Sequence, residues 1–438
     1  MSSEVLMRHL LLNAGPIAHM NPRGKKGPLV GAEMSDAQSL IYDPGQAILL
    51  DKSSILEIGD SEELQSEYLP ELKLSSKIPE VVKVGEMKIW DLAGKAVVPG
   101  LIDSHSHIIW AGDRSHEAEL REKGYSYRQI SEMGGGISLT VRETRASSIE
   151  ELTKLGLKRL QSAALNGTTF IESKSGYGLT VEDELKLLKV SNHLSEISNV
   201  KMTHTWLGAH SIPDGLNKPD YIDQLVNEQL PRVIEQGIAK YVDVFCEEGW
   251  FDIEETELIC NAATDHGLDI RLHVDEFSDS GGAELAAELG AMSADHAAWS
   301  SSNAREKCHR AGVIQGFLPG TPYVLNSEHW PPISECIENE WAWSLASDFN
   351  PNCPHISLPF TGMLAVKHSQ ISPLEALVAV TRNSAESMIE GRGTGLGQIA
   401  VGSPASLNIL SNDVIDSWCS TNQSQFIETL CNGEWVNR

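Results

Sequence analysis

Residues 97–114, VVPGLIDSHSHIIWAGDR, decide the fold of this chain. The run is apolar before Asp103 and predicts one buried β-strand over residues 97–105, which leads into the motif His105-Ser106-His107. Along a strand, residues i and i+2 point to the same face, so the two imidazoles converge on one point. The spacing predicts a pair of metal ligands at the end of this strand.

Seven further strand patterns follow this run, and helical patterns separate several of them. The predicted strands cover residues 168–173, 201–207, 241–246, 269–274, 292–296, 313–318 and 343–348. The predicted helices cover residues 148–166, a segment from 181 onward, 219–236, 253–266 and 282–289. Eight strands that alternate with helices in this way are typical of a (β/α)8 barrel. We therefore predict an α/β fold with a TIM-like barrel at its centre.

Both ends of the chain have a different character from the central region. Short strand patterns occur at residues 10–13, 47–50, 55–58 and 87–90, and again at residues 406–410 and 426–436. The segment 21–39 is rich in Gly, Lys and Pro and predicts a loop. We predict a small β-sandwich domain built from both termini, residues 1–96 and 398–438. The catalytic barrel domain then covers residues 97–397.

Composition excludes several classes of partner. The chain has 438 residues and a formal net charge of −27, so it lacks the basic footprint that nucleic acid and anionic membranes require. Its seven cysteines form no CxxC pair, as expected in a reducing compartment. The start has no signal-peptide pattern, and no apolar run is long enough to cross a bilayer. We expect a cytoplasmic protein whose partner is a small-molecule substrate.

Polar residues follow the predicted barrel strands at the ends where barrel enzymes carry their active sites. These residues are His105 and His107 after the first strand, Tyr177 after the second, His210 after the third, His273 and Glu276 at the fifth, His296 at the sixth and Asp348 at the eighth. Because the carboxyl ends of barrel strands meet at one face, we expect these side chains to surround a common site.

Three histidines and one aspartate of this set suit a metal ion. His105, His107 and His273 would supply nitrogen ligands and Asp348 an oxygen ligand, a set that fits Zn²⁺ or iron. The fourth strand has no lysine near its end, since Lys240 precedes it, and this favours one metal ion over two. The alternative is four hydrogen-bonded polar groups at the barrel rim.

The remaining candidates predict proton transfer and substrate binding. Glu276 is placed to act as general base and then as general acid, and His296 to stabilise charge on the attacked carbonyl oxygen. The alternatives are a surface carboxylate and a hydrogen-bonded core histidine. Arg114 can hold a carboxylate, or else form a surface ion pair. The substrate-binding candidates are Arg114, Tyr127, Tyr177 and His210, and Lys174 is interpreted as an ion-pair partner.

Ordered motifs along the barrel resemble those of the imidazolonepropionase family of the amidohydrolase superfamily. They are VVPGLIDSHSH, GYSYRQI, MGGGI, ESKSGYGL, TWLGAHSIP, RLHVDEF, SADH and SDFNPN. The resemblance implies a barrel flanked by a β-sandwich, a homodimer, and one Zn²⁺ or Fe³⁺ per subunit on His105, His107, His273 and Asp348. It also implies substrate contacts from Arg114, Tyr177, His210, Glu276 and Asn350.

The resemblance further implies a reaction, the hydrolytic ring opening of 4-imidazolone-5-propanoate to N-formimidoyl-L-glutamate in histidine degradation. Glu276 would then activate water and protonate the leaving ring nitrogen, while Arg114 and Tyr127 would grip the propanoate. The pattern departs from the family at Asn352 and Cys353, where a glycine and a small hydroxyl residue are expected. A backbone contact at residue 352 is compatible with this departure, whereas a hydroxyl contact at residue 353 is not.

Two other functions fit the same residues. One is another metal-dependent amidohydrolase, such as an aminohydrolase that acts on a purine or a related heterocycle. The other is a non-enzymatic scaffold that kept the barrel and lost catalysis. The presence of all four predicted ligands together with Glu276 argues against a scaffold, and metal analysis separates that case.

Overall fold

The computed structural model describes residues 8–22, 24–70, 80–125, 129–130, 133–421 and 423–436. At its centre, eight parallel strands form a barrel in which each strand pairs with its neighbours in chain order. They are β1 (Leu101–Asp103), β2 (Thr168–Lys174), β3 (Lys201–Ala209), β4 (Tyr241–Cys246), β5 (Asp269–Val274), β6 (Ser293–His296), β7 (Ile314–Phe317) and β8 (Trp343–Leu345). The predicted TIM-like barrel is confirmed.

Hydrogen bonds beyond the ends of β1 and β8 close the barrel. The backbone N–H of His107 donates to Phe349 O at 2.8 Å, and the N–H of Asp348 donates to His105 O at 3.1 Å. The buried carboxylate of Asp103 accepts from the backbone N–H of Ser347 at 2.9 Å. The two segments that carry predicted metal ligands are therefore joined directly to each other.

The predicted strand over residues 97–105 is wrong as a single element. Val97–Pro99 pairs with Leu407–Leu410 in a different sheet, and β1 begins only after Gly100. A Cβ atom at residue 100 would lie 2.1 Å from Thr169 Oγ1, so the chain passes from one sheet to the other at a position that has no room for a side chain.

Helices cover the outside of the barrel and connect its strands. In the described residues they are Glu117–Glu122, Gly136–Ala146, Ile149–Leu165, Val181–Ile197, Lys218–Gln224, Leu230–Gln236, Ile253–Thr264, Gly282–Leu289, Ser302–Ala311, Gly320–Val324, Ile333–Glu338, Leu358–Ser369, Pro373–Ala379 and Arg382–Glu386. None of the helices in the described part of the chain is both long and apolar enough to cross a bilayer.

The helix predicted over residues 219–236 is interrupted. A π-helical turn, Leu225–Gln229, separates its two α-helical parts. Pro231 follows this turn and has no backbone N–H to donate to the carbonyl four residues earlier, so the local hydrogen-bonding register changes.

Two sheets from the chain ends pack against each other beside the barrel. The five-stranded sheet contains Arg8–Leu12, Gln46–Leu50, Ile55–Asp60, Glu80–Val84 and Met87–Asp91. The six-stranded sheet contains Ile17–Ala18, Ile41–Tyr42, Val97–Pro99, Leu407–Leu410, Phe426–Cys431 and Glu434–Trp435. A shared apolar core joins them, with Leu11 and Ile48 from the first sheet and Leu407 and Leu430 from the second.

The strand predicted over residues 426–436 is instead a hairpin. Phe426–Cys431 pairs with Glu434–Trp435 in antiparallel register. The two residues between them, Asn432 and Gly433, have φ angles of 48° and 74°. An Asn-Gly pair in the left-handed region forms the tight turn that suits a two-residue hairpin loop.

Residues 21–39 contain short helical turns, which corrects the prediction of a loop. Gly31–Met34 forms a 3₁₀-helix and an α-helical turn, Ala37–Leu40, follows it. The buried guanidinium of Arg382 donates to the backbone carbonyls of Met20 and Gly27, each at 2.9 Å. Because one side chain satisfies several carbonyls, this segment is attached firmly to the barrel. Two further helices in the terminal regions are Ser61–Tyr68 and the 3₁₀-helix Ile415–Cys419.

Candidate metal centre and catalytic cavity

The predicted histidine ligands meet at the carboxyl ends of the barrel strands. One side-chain nitrogen from each of His105, His107 and His273 lies within 4.8 Å of the others. The Nε2 atoms of His105 and His273 are 3.0 Å apart, and Asp348 Oδ1 lies 3.7 Å from His105 Nε2. The structure therefore brings together the four side chains that the sequence predicted as metal ligands.

Hydrogen bonds to carboxylates set the tautomers of two of these histidines. His105 Nδ1 is 2.8 Å from Asp295 Oδ2, and His273 Nδ1 is 2.8 Å from Asp243 Oδ2. A carboxylate oxygen accepts, so each Nδ1 carries the proton and each Nε2 presents its lone pair. Two lone pairs 3.0 Å apart repel each other unless a cation lies between them. The donor set thus fits a metal ion.

Burial supports the same conclusion for His107. Among the residues that the structure describes, its Nδ1 atom is buried without a hydrogen-bond partner. Burial, followed by the nearby histidines, lowers the pKa of His107 well below its ordinary value, so the imidazole is neutral. A buried neutral imidazole with an unsatisfied nitrogen is suited to coordinate a metal ion.

Asp348 is held in place by its backbone and by a threonine. It follows β8 in the left-handed region, with φ 52°, a conformation that Asp adopts more readily than most other non-glycine residues. Thr321 Oγ1 donates to Asp348 Oδ2 at 2.5 Å. Burial raises the pKa of Asp348, as expected for a carboxylate whose charge a bound cation would stabilise.

A cluster of buried charges lies beneath the ligands. Lys174 Nζ is 2.7 Å from Asp243 Oδ2 and 2.9 Å from Glu172 Oε1, which confirms the interpretation of Lys174 as an ion-pair partner. The sequence reasoning did not identify Asp243, Glu172 or Asp295. Their signal was present, because a carboxylate within an apolar buried strand, such as YVDVFC, requires a partner.

Glu276 and His296 lie beside each other in the lining of one cavity. Glu276 follows β5, and its Oε2 atom lies 3.7 Å from Nε2 of His296, which ends β6. The Glu276 side chain is only 13% exposed, so it is not a surface carboxylate. Burial, followed by the charges of Asp348 and Glu247, raises the pKa of Glu276 well above its ordinary value. A carboxyl group of raised pKa inside a cavity is suited to move protons.

Glu276 and His296 belong to the lining of one cavity at this face of the barrel. Predicted site residues that line it are His107, Arg114, Tyr177, His210, His273, Glu276, His296, Asp348, Asn350 and Asn352. The sequence reasoning did not identify three further lining residues, Ile137, Phe245 and Phe277. Apolar side chains of this kind are ordinary in such cavities and have no distinguishing sequence signal.

Arg114 enters the cavity as a buried and oriented cation. Its Nε and Nη2 atoms donate to the two carboxylate oxygens of Glu117 at 2.9 and 2.8 Å. The backbone N–H of Gly136 also donates to Glu117, at 2.8 Å. Arg114 is thus not in a surface ion pair, and its guanidinium is fixed in direction before any ligand binds.

Aromatic rings form one wall of the cavity. His210 donates from Nδ1 to the carbonyl of Gly176 at 2.9 Å, and burial lowers the pKa of His210 to about 3. Its ring stacks on that of His107 with centroids 5.2 Å apart, and the Tyr177 ring lies 5.1 Å from it at a steep angle. A flat heterocycle would therefore meet planar surfaces on this side of the cavity.

The loop after β8 brings Asn350 and Asn352 to the cavity but not the side chain of Cys353. Asn350 Oδ1 accepts the backbone N–H groups of residues 352 and 353 at 2.7 and 3.0 Å. Asn352 Oδ1 accepts from Arg121 Nη1 at 2.9 Å. Cys353 Sγ lies behind this wall, 3.9 Å from Ser347 O. The predicted substrate contact Tyr127 lies outside the described residues.

Comparison with known proteins first indicates the class of protein, the amidohydrolases. Residues 231–436 match a model of the amidohydrolase family. The solved structure of 5-methylcytosine deaminase from Klebsiella pneumoniae has the same fold, with a TM-score of 0.68 and 15% identity over 98% of this chain and 97% of that one.

More similar relatives then give the family within that class. Imidazolonepropionase from Symbiobacterium thermophilum is 39% identical over 92% of this chain and 90% of its own length. Imidazolonepropionase from Geobacillus thermodenitrificans is 37% identical over 88% of this chain and 87% of its own length. The chain belongs to the imidazolonepropionase family of amidohydrolases.

Proposed function

We propose that this protein is a metal-dependent imidazolonepropionase, which opens the ring of 4-imidazolone-5-propanoate by hydrolysis to give N-formimidoyl-L-glutamate in histidine degradation. Identity near 40% along almost the whole chain supports this function. The observation that carries it is the cavity itself, which combines a histidine and aspartate cluster, a buried acid of raised pKa and an oriented arginine.

One metal ion, Zn²⁺ or Fe³⁺, would be held by His105, His107, His273 and Asp348. When bound, this ion would lower the pKa of a coordinated water molecule and polarise the ring carbonyl. Asp295 and Asp243 keep the protons of His105 and His273 on Nδ1, so both Nε2 atoms are left with a lone pair that can bind a metal ion. Three nitrogen donors and one oxygen donor suit either metal.

Glu276 would act as the proton carrier of the reaction. It would accept a proton from the attacking water and deliver it to the ring nitrogen as the cyclic amide C–N bond breaks. Its burial supports this role, because burial raises the pKa of the carboxyl group and so strengthens it as a proton acceptor within the cavity. His296, 3.7 Å from Glu276, would donate a hydrogen bond to the oxygen of the attacked carbonyl.

The substrate would be oriented by its charged end and by its flat ring. Arg114, held in place by Glu117, would bind the propanoate together with Tyr127. Tyr177 and His210 would lie against the imidazolone ring, and Asn350 and Asn352 would border it on the side of β8.

The two terminal sheets support one further part of this proposal. We infer that residues 1–96 and 398–438 form a β-sandwich domain around a catalytic domain of residues 97–397. The apolar core shared by the two sheets supports this division. The segment 97–99 crosses it, because Val97–Pro99 belongs to the six-stranded sheet.

The function is tested with purified protein and substrate generated from urocanate by urocanase immediately before use. Loss of the ultraviolet absorbance of the ring is followed, and the product is identified by mass. Rapid loss that gives N-formimidoyl-L-glutamate supports the proposal. Loss at the spontaneous rate by protein that retains its metal, with release of ammonia from a purine or cytosine analogue instead, would assign a different amidohydrolase activity.

A further inference from the structure

We propose that Lys174 is a positioning residue of the metal centre. Its buried ammonium group binds the carboxylate of Asp243 directly and lies within ion-pair distance of Asp295. Through these two carboxylates it fixes the orientation of the metal ligands His273 and His105. The inference rests on the metal site of the proposed function but not on the identity of the substrate.

The contact on one side is direct and uses a shared oxygen atom. Lys174 Nζ lies 2.7 Å from Asp243 Oδ2, and the same oxygen accepts the Nδ1 proton of His273 at 2.8 Å. The other oxygen, Asp243 Oδ1, accepts the backbone N–H of His273 at 3.0 Å. Because Asp243 is fully buried, its carboxylate cannot turn to water for a replacement partner.

The contact on the other side reaches the second ligand. Asp295 Oδ2 accepts the Nδ1 proton of His105 at 2.8 Å and lies 3.9 Å from Lys174 Nζ. Arg271 Nη2 also approaches this oxygen, at 3.3 Å. One ammonium group from β2 therefore acts on both carboxylates that orient the facing Nε2 atoms of the ligands.

The charge balance beneath the ligands depends on Lys174. The cluster contains two cations, Lys174 and Arg271, and three carboxylates, Glu172, Asp243 and Asp295, all of them buried. Without the ammonium group, three buried carboxylates would share one guanidinium. Their repulsion would be reduced only by rotation or protonation of a carboxylate, and either change removes an acceptor from the Nδ1–H of a metal ligand.

The expected consequence is weaker metal binding. Loss of a residue that orients a metal ligand typically reduces metal affinity by about 10–100-fold. We expect this loss in Lys174→Met, which keeps the aliphatic stem and removes the charge. The matched control is Lys218→Met, because Lys218 forms an ion pair with Glu255 at 3.0 Å at the partly exposed surface.

The test measures metal retention rather than turnover. Zn²⁺-loaded wild-type protein and both variants are mixed with a chromogenic chelator, and the zinc transferred at equilibrium gives the relative affinity. The inference expects about 10–100-fold weaker retention in Lys174→Met and wild-type retention in Lys218→Met. A folded Lys174→Met protein that holds zinc as tightly as wild type overturns it. Wild-type protein that binds zinc tightly but does not turn over the substrate would contradict the proposed function and leave the inference about Lys174 untouched.

A second variant separates positioning from charge balance and guards against misfolding. Glu172 Oε1 contacts both cations, so Lys174→Met with Glu172→Gln keeps the net charge of the cluster unchanged. We expect this double variant still to lose zinc, because the Asp243 oxygen that orients His273 still lacks the ammonium partner that lies 2.7 Å from it in the wild type. Its Co²⁺ form should show a changed visible spectrum because the ligand geometry changes. Wild-type zinc retention and an unchanged Co²⁺ spectrum in the double variant would overturn the positioning role.

Discussion

Among single substitutions, Glu276→Gln tests the proposed proton-transfer role most directly. Glu276→Gln keeps the size and shape of the side chain but removes its ability to accept a proton. In the described residues its carboxylate lies 3.7 Å from His296, and burial lowers the pKa of that imidazole well below its ordinary value, so no close ion pair is broken. Because burial already raises the pKa of Glu276, we expect a neutral amide at this position to leave the free energy of unfolding largely unchanged.

The expected loss of activity follows from the proton-transfer role. A positioned general acid and base contributes about 10²–10⁴-fold to the rate. That range corresponds to about 3–5 kcal/mol of transition-state stabilisation. We therefore expect kcat of Glu276→Gln to fall by about 100-fold or more, with the melting temperature and metal content unchanged.

Steady-state kinetics, metal analysis and thermal unfolding on the same preparation test this expectation. The matched control is Asp279→Asn, since Asp279 is an exposed carboxylate three residues along the chain. The control should retain wild-type turnover. If Glu276→Gln holds its metal and keeps more than about a third of wild-type kcat, the proton-transfer role is refuted.

Three further substitutions probe the substrate grip, the acid stability and the crossing between sheets. Arg114→Met should raise KM by about 30-fold or more in steady-state kinetics, with kcat within about threefold of the wild-type value. An unchanged KM would contradict the role of Arg114 in binding the substrate carboxylate. Burial lowers the pKa of His204 from 6.5 to about 4. Between these two pH values the unfolded chain binds a proton that the folded protein does not, so the free energy of unfolding is highest above pH 6.5 and decreases as the pH falls toward 4. Urea unfolding of His204→Gln should show a smaller loss of stability over that window, by up to about 3 kcal/mol, and an identical pH slope would contradict this. Gly100→Ala should reduce the free energy of unfolding by about 1–3 kcal/mol, because its Cβ would lie 2.1 Å from Thr169 Oγ1, and adding Thr169→Ala should restore part of it.

The barrel strands were predictable because buried parallel strands are short apolar runs with clear ends. The predicted bounds of the fourth and fifth strands, residues 241–246 and 269–274, agree with β4 and β5. Polar residues at their ends were then placed at one face by the geometry of the barrel alone. For this reason the four candidate metal ligands could be expected at one face of the barrel before any contact was known.

Features that depend on partners distant in sequence could not be predicted. The division of the strand over 97–105 is caused by Leu407–Leu410, which pairs with Val97–Pro99 from the far end of the chain. The order in segment 21–39 comes from Arg382. In both cases the local pattern is consistent with the fold but does not contain the contact that determines it.

The supporting groups of the metal centre show the same limit. Asp243 and Asp295 stand in apolar strands, so each was recognisable as a buried carboxylate in need of a partner. That their partners are the Nδ1 atoms of His273 and His105 became evident only when β4, β5 and β6 lay side by side. Arg114 likewise gained its orientation from Glu117, one helical turn away, which its motif did not indicate.

Metal titration tests the central claim most directly. Protein stripped by a chelator is reloaded with increasing Zn²⁺ or iron, and the rate of 4-imidazolone-5-propanoate ring opening is measured at each step. We predict that turnover is absent without metal, rises linearly, and reaches its plateau at one ion per chain. Turnover by the metal-free protein, or a plateau only at two ions per chain, would contradict a mononuclear site on His105, His107, His273 and Asp348.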